Sequence, residues 1–284
     1  MFILDNDGDY RHYSGDNPRM YPVLPTGAYT PLMNPQIGLF FKPVKTDGDQ
    51  LINLDTTVAR HVRREIDDFF NPEITATLAS VNIKHRRGVI LHGVPGTGKT
   101  SLIRSLFPVF FQHNAVVLVE PHGDMLENIF IPAIRKDDPD RPIVIVWDEF
   151  EKNADYSRSE LLRLLDGLNS PDHLLTIGTT NYLSKISSQL TGRPSRFSLI
   201  LEMPPLDSAA RVAYARRKYP MLDHEVVAGL VDMTAGKALD YIEEACKLTL
   251  MGYDADEIRD RIQGVTISSL ALANSDDEES EEDE

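Results

Sequence analysis

Gly93-Val94-Pro95-Gly96-Thr97-Gly98-Lys99-Thr100 decides how the rest of the chain is read. The run fits G-x-x-x-x-G-K-[ST], and each residue type has a physical reason to be there. Glycines let the backbone curl around an anion so that successive N–H groups point inward, and the positive end of a following helix adds to the field. Lys99 supplies a cation for the β and γ phosphates, and the Thr100 hydroxyl is a candidate magnesium ligand. Such a loop needs a strand running in and a helix running out. Val89-Ile90-Leu91 supplies the strand, and the spacing of Leu102, Ile103 and Leu106 supplies the helix. Gly93, Val94, Pro95, Gly96, Thr97, Gly98, Lys99, Thr100 and Ser101 are therefore the candidate residues for holding ATP.

Downstream, Ile143-Val144-Ile145-Val146-Trp147 runs straight into Asp148-Glu149. A buried strand that delivers two adjacent carboxylates beside a phosphate loop predicts a division of labour. Asp148 binds Mg2+, directly or through water, together with Thr100, and Glu149 positions and polarises the attacking water.

Around these two motifs apolar runs alternate with helical periodicity. Val89–Leu91, Val116–Val119, Ile143–Trp147, Leu174–Ile177 and Leu199–Met203 read as strands; Lys99–Phe107, Asp124–Ile134 and Ser159–Leu168 read as the helices between them. Buried strands separated by helices are the signature of a parallel sheet covered on both faces, an α/β fold. A helix over Thr56–Phe70, with Val58, Val62, Ile66, Phe69 and Phe70 on one face, precedes the sheet; Asp55 is its expected cap and Asn71-Pro72 its end. Residues 1–54 read as a small β-rich region of short strands and loops without a large core of its own. Hairpin turns are predicted there at Asp7-Gly8 and at Asp47-Gly48, the latter joining Leu39-Phe40-Phe41 to Leu51-Ile52. Residues 55–206 form the predicted nucleotide-binding domain. Residues 207–266 show no strand pattern and read as a small helical bundle, and 267–284 as a disordered acidic tail.

Charge narrows the choice of partner. The net charge is −15, and the last nine residues alone contribute eight negatives, which leaves −7 on the body. An acidic body does not attract a phosphate backbone over its whole surface, which counts against nucleic acid as the main partner. Cys246 is the only cysteine, which excludes an internal disulfide and a cysteine-built zinc site. The longest apolar runs are too short to cross a bilayer, and Met1 leads into Phe2-Ile3-Leu4-Asp5 without a charged leader. No membrane insertion and a cytoplasmic location are therefore expected.

From Asp55 to Gly264 the sequence resembles the AAA+ ATPases, specifically the AAA clade proper. The resemblance is carried by Asn71-Pro72-Glu73, by Arg86-Arg87-Gly88-Val89-Ile90-Leu91-His92-Gly93, by the phosphate loop (Walker A) and by Asp148-Glu149 (Walker B). It continues through Leu161-Leu162-Arg163-Leu164-Leu165-Asp166-Gly167, Thr179-Thr180-Asn181 and Gly192-Arg193-Pro194-Ser195-Arg196-Phe197. It implies a P-loop NTPase sheet covered by helices, the AAA+ core, with the C-terminal bundle as a helical lid. Asn181 is implied as the sensor-1 residue. Arg193 and Arg196 are implied as arginine fingers reaching a neighbouring subunit's nucleotide, a contribution worth about 10³ to 10⁵ in rate. Arg196 matches the family's R-F-[DS] position better, and the choice of principal finger between the two stays open. A site completed in trans implies self-association into a ring, a hexamer in this family. Gly236 falls where the clade places a glycine near adenine and ribose, and Asp55, Thr56 and Thr57 fall where it places further adenine contacts. Lys237 reads either as a weak sensor 2 or as an exposed helix-start lysine. The segment Asn82–Gly88 and the shortened connection after Val119 are locally similar to the mitochondrial Rieske-protein translocase ATPase. That connection, Glu120-Pro121-His122-Gly123-Asp124, leaves little room for the aromatic pore loop of protein-threading members.

The leading expectation is an oligomeric ATPase that remodels, assembles or moves a protein partner, with residues 1–54 as a substrate or adaptor module. One alternative is a nucleic-acid motor or loader, for which only Lys84, Arg86, Arg87, Arg211, Arg216, Arg217 and Lys218 speak. The other is an ATP-gated scaffold with negligible turnover, against which the intact Lys99, Asp148, Glu149 and both arginines stand.

Overall fold

The computed structural model describes residues 2–4, 9–12, 21–36, 38–46, 56–136, 138–151, 162–165, 171–186, 188, 192–193 and 196–264. The chain divides into two compact units, Met1–Pro204 and Pro205–Glu284. Among the described residues, the first is built on one nine-stranded sheet in the order β1-β2-β4-β3-β6-β7-β8-β5-β9. The strands are β1 (Phe2–Leu4), β2 (Tyr10–His12), β3 (Gly27–Asn34), β4 (Gly38–Pro43), β5 (Arg86–His92), β6 (Val116–Val119), β7 (Ile143–Trp147), β8 (Leu174–Thr180) and β9 (Leu199–Glu202). From β3 to β9 along the sheet every pairing is parallel. All five apolar runs read from the sequence are strands of this parallel part.

Side-chain alternation explains why these strands are apolar throughout. Val89, Leu91, Val117, Val144, Val146, Leu175 and Ile177 pack on one face with α1 (Thr57–Phe69), α3 (Lys99–Ser105) and α4 (Phe107–Gln112). Ile90, Val116, Leu118, Ile143, Ile145, Trp147 and Leu174 pack on the other. There they meet a helix of three contiguous stretches: Gly123–Met125, the π-helical Leu126–Phe130 and Ile131–Arg135. A strand with period-2 side chains and two buried faces favours apolar residues along its whole length, and Thr176 in mid-β8 is the exception among these strands. Each fully buried Val, Leu or Ile contributes about 1.5–3 kcal/mol.

The N-terminal strands join this same sheet through β3, where Gly27, Ala28 and Tyr29 lie opposite Val116, Val117 and Leu118. β1 and β2 pair antiparallel, Leu4 opposite Tyr10, across the predicted Asp7-Gly8 turn, whose residues lie outside those described. The second predicted hairpin is corrected. Phe41 lies opposite both Tyr10 of β2 and Pro31 of β3, and Phe40 opposite both Arg11 and Leu32. A strand has two edges, and along Phe40–Phe41 those of β4 are taken by β2 and β3; Leu51-Ile52 lies outside the described residues. The turn that does form runs from Asn34 to Gly38, and the Asn34 Oδ1 accepts the Gln36 N–H at 2.8 Å.

α1 buries Ala59, Val62, Ile66 and Phe69, and its N-cap is Thr56, whose hydroxyl accepts the Ala59 N–H at 3.1 Å. Asp55, the cap expected from sequence, lies outside the described residues. Asn71-Pro72 ends α1 and also opens α2 (Pro72–Ser80), with Asn71 as the N-cap and proline at the first helical position. Of the predicted Ser159–Leu168 helix, residues 162–165 are described and helical; Asp47-Gly48, Pro194, Ser195 and 267–284 lie outside the described residues.

The second unit contains the helices Ser208–Lys218, His224–Met233 and Leu239–Leu250, and residues 255–264 are also helical. Val227, Leu230, Val231, Ile242, Ala245, Cys246, Ile258 and Ile262 form its core. Among the described residues no helix is long and apolar enough to cross a membrane.

Thr56→Ala removes one cap bond and should cost about 1 kcal/mol. Ile145→Ala opens a cavity between sheet and helix and should cost about 2–5 kcal/mol. Urea unfolding of the two variants beside wild type checks the order; equal losses would contradict a core centred on β7.

Candidate active site

The candidate site is assembled at the C-terminal ends of β5, β7 and β8, where the parallel strands hand over to loops. The chain leaves β5 at His92, whose carbonyl accepts the Met203 N–H at 2.6 Å. Gly93 follows with φ +151° and a backbone so close to Met203 that a Cβ would stand 2.4 Å from its carbonyl oxygen. No other residue fits there. Gly98, at φ +88°, turns the loop into α3 and is its N-cap.

Lys99 is buried at the first turn of α3. Its Nζ donates to the carbonyls of Gly93 at 2.6 Å and Val94 at 3.0 Å, and to the Asn181 Oδ1 at 2.8 Å. Burial lowers its pKa below the usual lysine range, while Asp148, Glu151 and Glu149 pull in the opposite direction. An ammonium held against the loop's own carbonyls, with three carboxylates in electrostatic reach, is a ready partner for an incoming polyphosphate.

Thr100, next on α3, donates its hydroxyl to both carboxylate oxygens of Asp148, at 2.9 and 2.8 Å. A hydroxyl and a carboxylate in contact are two hard oxygen donors on one spot, and this donor set suits Mg2+. A cavity of about 220 Å³ opens beside them, bordered also by Lys45, Thr46, Arg104 and Glu120. Asp148 is held from two further sides. Its N–H donates to the Glu120 carboxylate, and its Oδ1 accepts the Thr179 hydroxyl. Glu149 takes a left-handed backbone, φ +50°, and its N–H donates to the same Thr179 hydroxyl at 3.1 Å.

The structure thus brings together the loop Gly93–Ser101, Asp148, Glu149 and Asn181. Arg193 and Arg196 lie elsewhere in the first unit. The Arg196 carbonyl oxygen sits 2.2 Å from where a Cβ on Gly88 would be, and about 16 Å of strand separates Gly88 from Gly93. Arg193 is exposed. Gly236, φ +74°, belongs to the second unit. Sequence reasoning did not single out Thr179, Glu120 or Glu151. The last is buried with its Oε2 unpaired. Glu120 had an available signal, as the polar residue that directly follows the apolar run Val116–Val119; Thr179, in a strand that also holds Thr176 and Thr180, had none.

Residues 89–205 match the family described as "ATPase family associated with various cellular activities (AAA)". The chain is similar to the Cell division cycle protein 48 homolog of Archaeoglobus fulgidus, 30% identical over 190 residues, 59% of this chain and 25% of that protein. It is 28% identical over 172 residues to the Putative cell division cycle ATPase of Plasmodium falciparum, 55% of this chain and 14% of that one. To the ATP-dependent zinc metalloprotease FtsH 2 of Sphaerobacter thermophilus it is 27% identical over 264 residues, 82% of this chain and 38% of that one. The chain spans a quarter or less of the length of the first two of these relatives.

Gly93→Ala forces a methyl group against the Met203 carbonyl, so the loop must shift. Calorimetry should register a loss of about 1–3 kcal/mol. An unchanged melting temperature would show that the β5–β9 ends are not in contact.

Proposed function

Residues 89–205 of this chain are an AAA domain of the AAA+ ATPases, and from that premise we propose that the protein is an oligomeric, Mg2+-dependent ATPase that remodels, assembles or moves a protein partner. The observation that carries the reading is the convergence of Lys99, Thr100, Asp148 and Asn181 on one spot at the sheet's C-terminal edge.

In this reading the N–H groups of residues 93–101 and the Lys99 ammonium bind the phosphates of ATP. Thr100 and Asp148 hold Mg2+, whose chemistry is to neutralise charge on the β and γ phosphate oxygens. Glu149 orients the attacking water and takes its proton. Asn181 exchanges its contact with Lys99 for one with the γ phosphate or that water, which makes it a reader of nucleotide state. Arg193 and Arg196 act on the nucleotide of the next subunit, consistent with the anchoring of Arg196 at the other end of β5. A ring is then required for activity.

The nucleic-acid alternative loses most of its support. Arg211 is buried, donating to the Thr234 carbonyl and hydroxyl, each at 2.8 Å. Lys218 pairs with Glu243 at 2.7 Å, Arg87 with Glu65 at 3.2 Å, and Arg86 donates to the Leu165 carbonyl at 2.6 Å. A buried Arg211 and cations already paired with carboxylates make a poor phosphate-binding track, although Lys84, Arg216 and Arg217 are exposed. The connection from β6 to the following helix is Glu120-Pro121-His122 alone, which favours remodelling without threading through an aromatic pore loop.

Lys99→Ala should weaken ATP binding at least tenfold, and undiminished affinity would contradict the phosphate contact. Glu149→Gln should bind ATP like wild type with turnover reduced at least a hundredfold. Mixing Glu149→Gln with Arg196→Ala subunits should restore part of the activity, because some interfaces then pair an intact carboxylate with an intact finger. Mass and turnover across a protein-concentration series test the ring: specific activity that stays constant from monomer to assembly would exclude a site completed in trans.

A further inference from the structure

We propose that Thr179 is a positioning residue for both Walker B carboxylates, setting how tightly the site takes up its divalent metal. The inference rests on the Mg2+-ATP reading above and goes beyond it, since Thr179 belongs to neither motif.

Thr179 is the second-last residue of β8 and is 1% exposed. Its hydroxyl has one proton and two lone pairs. The proton goes to the Asp148 Oδ1, and a lone pair receives the Glu149 N–H at 3.1 Å. One atom therefore fixes the orientation of the first carboxylate and the backbone of the second. The bond to Asp148 is charge-assisted, the stronger kind. The bond to Glu149 fixes a residue at φ +50°, a left-handed conformation that costs a non-glycine residue about 1–2 kcal/mol and so needs an external restraint.

Neither contact is a by-product of burying a threonine in this strand. Three residues earlier, the Thr176 hydroxyl is equally buried and has no hydrogen-bond partner among the described residues, so β8 tolerates an idle hydroxyl. The Thr180 hydroxyl serves its own chain, accepting the Tyr182 N–H at 2.9 Å. Only Thr179 reaches across to β7. Asp148 also contacts Thr100, but that hydroxyl is itself a proposed metal donor and cannot serve as the fixed tether. With Thr179 in place Asp148 is presented in one rotamer. Without it, the carboxylate must be ordered at the moment of metal binding, and affinity falls by that cost.

The test compares wild type, Thr179→Val, which keeps the shape and removes the hydroxyl, and Thr179→Ser, which keeps the hydroxyl. Affinity for a fluorescent ATP analogue is measured in EDTA and across a Mg2+ titration. The expected result is equal affinity in EDTA for all three proteins. The valine variant needs about tenfold more Mg2+ for half-maximal enhancement, and the serine variant stays within about threefold of wild type. A valine variant with the wild-type Mg2+ midpoint overturns the proposal, as does a serine variant as impaired as valine. If valine does not fold, alanine against serine carries the same comparison, and equal Mg2+ midpoints overturn it. Wild-type protein that binds the analogue in neither condition refutes the ATP reading and this role with it, whereas normal wild-type binding with unaffected variants refutes this role alone.

Discussion

The register between β7, β8 and β5 is the constraint on which everything at the site depends. Trp147 lies opposite Gly178, and His92 lies opposite Thr180. The next residue on each strand is therefore delivered to one level: Asp148 beside Thr179, and Gly93 beside Asn181. A slip of one residue would turn every side chain of the strand to the other face and separate these partners. Polarity cannot pin this register, because both faces of the strands are apolar. Size does. Gly178 sits under the Phe150 ring, where a Cβ would come within 3.3 Å of it, and Gly88 sits under the Arg196 carbonyl. Trp147 and Phe150 in turn pack at 5.3 Å between ring centroids, so the residues flanking the acidic pair lock it from below.

How much of this was legible in the sequence follows from where the information resides. The five parallel strands were readable because a strand buried on two faces has to be a continuous apolar run. The phosphate loop was readable because its glycines answer to local backbone geometry. The N-terminal strands were only half readable. Asp47-Gly48 is a good turn signal, but pairing is decided by which edges are free, and along Phe40–Phe41 β4 had none. Thr179 was quoted as part of a motif without a role, because its function comes from a partner 31 residues away. Arg211 and Lys218 looked like surface cations in a linear reading, and their partners in the second unit lie 23 and 25 residues downstream. Asp55 was the cap expected by residue type; hydrogen-bond geometry makes Thr56, read as the first helical residue, the cap.

The loop and the acidic pair also share a mode of construction. Lys99 is surrounded by acceptors already on the chain, and the Asp148 carboxylate by the hydroxyl donors of Thr100 and Thr179. Neither ion is left bare in a buried place, where an unpaired charge would cost several kcal/mol. Under the proposed ATP reading, binding a ligand here would be an exchange of partners at fixed positions, which keeps the reorganisation small.

The added N-terminal strands have a consequence for how the sheet can meet other proteins. An open parallel sheet ordinarily offers a bare strand at each side, a template for augmentation by a foreign peptide or for edge-to-edge aggregation. Here β3 occupies the outer side of β6, and the far side of β1 is closed in turn, the N–H of Phe2 and that of Tyr21 each donating to the other's carbonyl at 2.7 Å. Among the described residues, the outer side of the four-residue β9 carries no paired strand. Main-chain addition to this sheet from outside is thereby narrowed to short registers.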